Sequence, residues 1–106
     1  MDKVAFEINP LDINLAKLQF ELIKLAEGSV VGEFSQVFES KDPTIKFLKI
    51  DVKCKLGQNV NLTAEFYSKT GEKKELVLFS GSNEQFLEYL NSKEFFNICK
   101  TTALSF

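Results

Sequence analysis

Carboxylates, lysine ammoniums and two thiols are the reactive groups this sequence offers, because its 106 residues include no histidine and its 13 basic side chains are all lysine. Imidazole is the commonest general base and the commonest metal ligand. Serine or cysteine nucleophiles activated by histidine are therefore excluded. Cys54 and Cys99 lie far apart in the chain and make no zinc site by themselves. Acid pairs such as Glu7 with Asp12, or Glu33 with Glu39, are the type of pair that hydrolyses glycosides. With 15 acids in a short chain such pairs arise by chance, and solvated carboxylates are the better reading. No glycine-rich phosphate loop occurs. Asn61-Leu62-Thr63 matches a glycosylation acceptor, but it falls inside an expected strand, where a chance match is the better account. The expectation is no enzyme, no metal site and no cofactor.

What remains is binding. Arginine reads guanine and phosphate through two fixed hydrogen bonds, and its absence argues against sequence-specific nucleic-acid recognition. The net charge is −2, with an acidic first part and a basic middle. The basic middle holds Lys49, Lys53 and Lys55, with Lys69, Lys73 and Lys74 nearby. This row reads either as a solvated, aggregation-resistant sheet face or as a contact for an acidic partner or a phosphate backbone. Only Phe47 and Tyr67 stand ready to stack on bases between these charges.

Eleven phenylalanines are many for this length. Phe6, Phe66, Phe79 and Phe86 fall on expected inward faces. Phe20, Phe47, Phe95 and Phe96 are hard to fit into one small core beside them, which points to an exposed patch or an oligomer interface. The candidate partner-binding set is therefore Phe20, Phe47, Phe95, Phe96, Lys49, Lys53 and Lys55, and the expected partner is another protein or a second copy of the chain.

The elements that must position these groups follow from periodicity. Val4, Phe6 and Ile8 alternate as a short strand before Asn9-Pro10 breaks it. Over residues 11–27, Leu11, Leu15, Leu18, Leu22 and Leu25 share one helical stripe, with Asp12 as a start and Gly28 as a stop. Ile13 and Phe20 project from the other side, and a long bent strand is the rival reading. Residues 30–39 read as strand, although Val30, Phe34, Val37 and Phe38 also fit helical spacing; Asp42-Pro43 supplies the next turn. Leu48, Ile50, Val52, Cys54 and Leu56 alternate with lysines and Asp51. After Gly57-Gln58, Val60, Leu62, Ala64 and Phe66 alternate with polar residues. After Thr70-Gly71, Leu76 to Phe79 form a strand apolar on both faces. Ser82 and Gln85 match a capping box that opens a helix carrying Phe86, Leu87 and Leu90. Asn91-Ser92 interrupts it, and Phe95, Phe96, Ile98 and Cys99 form a short helical turn before a tail that frays or adds an edge strand.

These elements assemble into one α+β domain over residues 1–106: an antiparallel meander of four to five strands packed against one N-terminal and one C-terminal helix. With 44% hydrophobic residues the chain builds a core without staples. No apolar run reaches the roughly 18 residues of a membrane span. The N-terminus lacks the basic start and apolar stretch of a signal peptide, and two buried free thiols suit a cytoplasmic protein.

The stretch from Leu48-Lys49-Ile50-Asp51-Val52-Lys53-Cys54-Lys55-Leu56-Gly57 to Gly81-Ser82-Asn83-Glu84-Gln85-Phe86-Leu87 resembles the SecB-type export chaperones in its strand spacing and helix start. Residues 13–20 take the place of that fold's bent first strand, and the chain is too short for its second long helix. The resemblance implies a cytoplasmic oligomer that binds unfolded chains through apolar grooves. A cystatin-like layout, one helix across an antiparallel sheet, fits the helical reading of residues 11–27 equally well. The function expected from elimination is a binding module of inhibitor, immunity or adaptor type, with a chaperone or a carrier of apolar segments or lipid as the alternative.

Overall fold

Leucine spacing decides the first element. Leu15, Leu18, Leu22 and Ala26 recur at the three- and four-residue intervals of one helical face, and all four are buried. The computed structural model, which describes residues 10–39 and 46–105, accordingly forms helix α1 over Pro10–Glu27. The bent-strand rival is thereby excluded, and with it the match of residues 13–20 to a chaperone-type first strand. The helix starts at Pro10, earlier than the expected Asp12, at a position where proline's missing N–H costs nothing. Its end is a Schellman arrangement: Val30 N–H donates to the Leu25 carbonyl and Ser29 N–H to the Ala26 carbonyl, each at 3.1 Å. The left-handed residue is Ser29, at φ 51°, so the turn falls one position beyond the expected Gly28. The expected strand at Val4–Ile8 and the turn at Asp42-Pro43 lie outside the described residues.

Four strands follow, β1 (Gly32–Glu39), β2 (Phe47–Leu56), β3 (Asn59–Ser68) and β4 (Lys73–Ser82), and then helices α2 (Asn83–Asn91) and α3 (Glu94–Leu104). The strands form an antiparallel meander in the order β1-β2-β3-β4. This is the expected α+β architecture. The second C-terminal helix is fuller than the expected short turn, and it absorbs the tail as far as Leu104 rather than leaving it to fray or pair as a strand. Alternation makes one sheet face apolar: Ile50, Val52, Cys54 and Leu56 on β2 and Val60, Leu62, Ala64 and Phe66 on β3 are all buried. Helices α2 and α3 lie on that face. Helix α1 joins the same layer against α2 and α3, tied by Gln19 Nε2 donating to the Leu90 carbonyl and by Asn83 Nδ2 donating to the Ala26 carbonyl at 2.9 Å.

The capping box opens α2 as expected: Gln85 N–H donates to Ser82 Oγ at 3.2 Å, and Ser82 N–H to Gln85 Oε1 at 3.0 Å. Lys93, left-handed at φ 70°, turns the chain from α2 into α3. Between β3 and β4 the buried Ser68 hydroxyl accepts the Glu72 N–H at 2.9 Å and the Thr70 N–H at 3.3 Å, closing the turn at Thr70-Gly71.

Two register shifts correct the expected strand phases. Phe47 opposes Ser68 while Lys49 opposes Tyr67, which leaves Leu48 unmatched. Phe47 therefore turns inward, and Leu48 is the side chain left at the surface. On β4, Phe79 opposes Leu62 and Val77 opposes Thr63, so Leu78 is the extra residue. Leu76, Leu78 and Phe79 all reach the core, and Val77 alone points out.

Candidate functional site

The helices occupy one side of the sheet, and among the described residues no element covers the other. Register lays the side chains of this open face in four rows across the strands. Glu33, Lys55, Asn61 and Ser80 form the first row. Ser35, Lys53, Thr63 and Val77 form the second, and Val37, Asp51, Glu65 and Glu75 the third. Glu39, Lys49, Tyr67 and Lys73 form the last. Two apolar side chains stand out of this polar lattice: Val77, 72% exposed, and Val37, 50% exposed. Both lie where period-two alternation would put a polar residue if the face existed only to be wetted.

The lysine row is present, but it is not a basic patch. Lys55 Nζ lies 3.7 Å from Glu33, and Lys53 Nζ 3.6 Å from Glu65. Glu39 is the cross-strand neighbour of Lys49. Lys74 is on the opposite sheet face, where it donates to Ser105 Oγ at 2.8 Å. The open face thus sets a row of three acids, Asp51, Glu65 and Glu75, between the lysines on its two sides, and holds no continuous basic stripe that would track a phosphate backbone.

Its electrostatic centre is Glu65. Lys73 Nζ approaches Glu65 Oε2 at 2.7 Å and Glu75 Oε1 at 2.9 Å, and Tyr67 Oη donates to Glu65 Oε2 at 3.1 Å. The Tyr67 ring lies between the ammonium groups of Lys49 and Lys73, at 4.7 and 5.8 Å from its centroid. Hydrogen bonds from Lys73 and Tyr67 hold the Glu65 carboxyl below the usual carboxylate range. The same carboxylate raises Lys73, helped by Glu75. Burial, then the bond to Glu65, pushes the Tyr67 phenol up. Each shift fixes a group in its ordinary charge state, the opposite of what proton transfer at neutral pH requires.

A titration follows from this geometry. The Glu65 carboxyl is expected to titrate below the ~4.3 of a free glutamate. Its folded value is depressed, so its stabilisation is present above the unfolded value and is lost as pH falls through the folded one. Carboxyl NMR titration reads the midpoint. Lys73→Met is expected to move it upward, and an unchanged midpoint in that variant would mean that Lys73 is not the dominant partner.

The remaining candidates separate from this face. Phe20 is exposed as expected, at 61%, but on α1 in the helical layer, with Lys24 Nζ 5.2 Å from its ring centroid. Phe47 and Phe95 are 1% and 0% exposed and belong to the core, so neither is available to a partner. Phe96 is partly buried against the core, with Lys100 Nζ 5.7 Å from its ring. The structure therefore brings together Lys49, Lys53 and Lys55 and separates the phenylalanines from them. Val37, Thr63, Glu65, Tyr67, Lys73 and Val77 complete the face. Their outward phase was readable on β3 from simple alternation, and on β4 it was hidden by the bulge.

Cys54 and Cys99 are free and buried, under the sheet and on α3. Asn61 is held on the open face by Ser80 Oγ, which donates to its Oδ1 at 3.0 Å. Among the described residues no three histidine, cysteine, aspartate or glutamate side chains converge to hold a metal ion, and no helix is long and apolar enough to cross a membrane. No family model matches the chain, nor does any curated protein or solved structure.

Proposed function

We propose that this protein is a non-enzymatic binding module that holds another protein against the open face of its sheet, in a reducing, cytoplasmic setting that suits its two free thiols. The observation that carries the reading is Val77, a large apolar side chain 72% exposed on edge strand β4, on a face that no described element covers. Around it stand Lys53, Thr63, Glu65 and Glu75, polar groups of both signs. Exposed apolar side chains set among polar groups of both signs are the composition of a protein interface rather than of a nucleic-acid or anion site. Inhibitors, immunity proteins and adaptors work through such surfaces.

A chaperone-like holder of unfolded segments is the second reading. Exposed apolar side chains favour it, since Phe20, Val31, Val77 and Leu104 all reach solvent. They sit on four different parts of the fold, however: α1, the segment before β1, β4 and α3.

Affinity capture from the native lysate tests both. A specific module is expected to retain one partner in stoichiometric amount. Val77→Lys is expected to weaken the complex at least tenfold, as for an apolar anchor buried by the partner, while Phe20→Ser leaves it intact. Suppression of aggregation of several unrelated clients, reduced by Phe20→Ser and indifferent to Val77→Lys, would replace the module with the chaperone. Partner binding insensitive to Val77→Lys would remove the open face from the function.

A further inference from the structure

The two edges of the sheet are built differently. β4 carries a bulge at Leu78, two lysines at its start and helix α2 packed against it. Those are the usual devices that stop a strand from pairing with another chain. β1 has none of them. It pairs with β2 in unbroken register from Gly32 to Glu39, holds no lysine or proline, and among the described residues has no other strand neighbour. Among the described residues little covers either of its faces: only Phe38 is buried, and Gln36 is exposed on the side where the helices lie. Val30, Val31 and Val37, three of the large exposed apolar side chains, lie on this strand or immediately before it.

We propose that β1 pairs antiparallel with β1 of a second copy, joining two sheets into one of eight strands with all helices on the same side. A two-fold axis normal to the sheet must pass between identical residues, so that side chains of one face meet side chains of the same face. Centring on Gln36 sets Glu33 against the second copy's Glu39, a like-charge pair. Centring on Phe34 shortens the overlap. Centring on Ser35 avoids both faults. It sets Ser35 against itself and Glu33 against Val37, and it lays Phe38 across Gly32, where the space a Cβ would occupy is open. An aromatic ring across an edge glycine is a favourable pair. Pairing also satisfies the outward N–H and C=O groups of β1 and covers Phe34. It extends the open face without using Val77, so it stands or falls separately from the partner-binding reading.

Light scattering on the full chain over a concentration series is expected to give twice the 12.0 kDa chain mass, dissociating on dilution. Ser35→Cys is expected to form a covalent dimer on mild oxidation, because directly opposed antiparallel residues lie about 4.5–5.5 Å apart, within disulfide reach. Glu33→Cys is expected not to, since its two copies would stand about 13 Å apart along the strands. The native thiols are buried and do not compete. A monomer at every concentration would overturn the proposal. A dimer that Glu33→Cys links as readily as Ser35→Cys would overturn it too.

Discussion

Phe95→Ala is expected to destabilise the fold by about 3–5 kcal/mol, and Phe20→Ala by less than about 0.5 kcal/mol, although the two residues look alike in the sequence. Phe95 opens helix α3 and is fully buried together with Cys99 and Ala103 on the same helical face. Truncating it removes a benzyl group's worth of apolar burial and leaves a cavity among rigid neighbours. Phe20 leaves most of its ring in solvent, and its contact with Lys24 is an exposed one worth little. For a domain whose whole stability is of order 5–15 kcal/mol, the first change takes a large share and the second almost nothing. Urea unfolding with a common slope reads the difference. Phe47→Ala is expected to fall with Phe95→Ala, since the bulge beside Lys49 turns it inward. Comparable losses for Phe20 and Phe95 would mean that α1 docks by a different face.

The fates of these phenylalanines show where a sequence stops speaking. Alternation on β2 and β3 is a local, period-two signal, and it locates the dry face from Ile50 to Phe66 correctly. The stripe from Leu15 to Leu22 is equally local and yields α1. Phe47 was lost because one extra residue in a strand inverts the phase of everything on its near side, and nothing in Lys46-Phe47-Leu48 marks the bulge. Val77 was lost the same way, inside a run that reads as apolar throughout. The apparent excess of aromatic residues had a physical resolution: α3 is a complete helix that adds a second packing face, so the core is larger than a sheet with one C-terminal helix would allow. The lysine row was legible residue by residue. Its neutralisation was not, because Glu33 and Glu65 reach it from neighbouring strands, and only register places them there.

Cys54 and Cys99 are expected to resist alkylation in the native protein, relative to an unfolded thiol at pH 8, by about two hundredfold and about two thousandfold respectively. Burial pushes the Cys54 thiol up to about 11 and the Cys99 thiol up to about 12. An unfolded cysteine, near 8.5, is about a quarter thiolate at pH 8, whereas Cys99 at about 12 is ionised in only about one molecule in ten thousand. Steric exclusion adds to this, since both side chains are almost wholly buried. Labelling by iodoacetamide followed by mass spectrometry should therefore track unfolding and rise steeply across the urea transition. The same displacement makes stability pH-dependent in a definite direction. The native state binds the thiol protons more tightly, so stability is complete below about pH 8.5 and falls as pH rises towards the folded values. The slope approaches about 1.4 kcal/mol per pH unit for each thiol. Cys99→Ala is expected to remove one thiol's share of that alkaline slope, beyond the fixed cost of the lost packing. Rapid labelling of Cys99 at neutral pH in an otherwise folded chain would show that α3 is undocked. It would also remove the basis for counting Phe95 in the core.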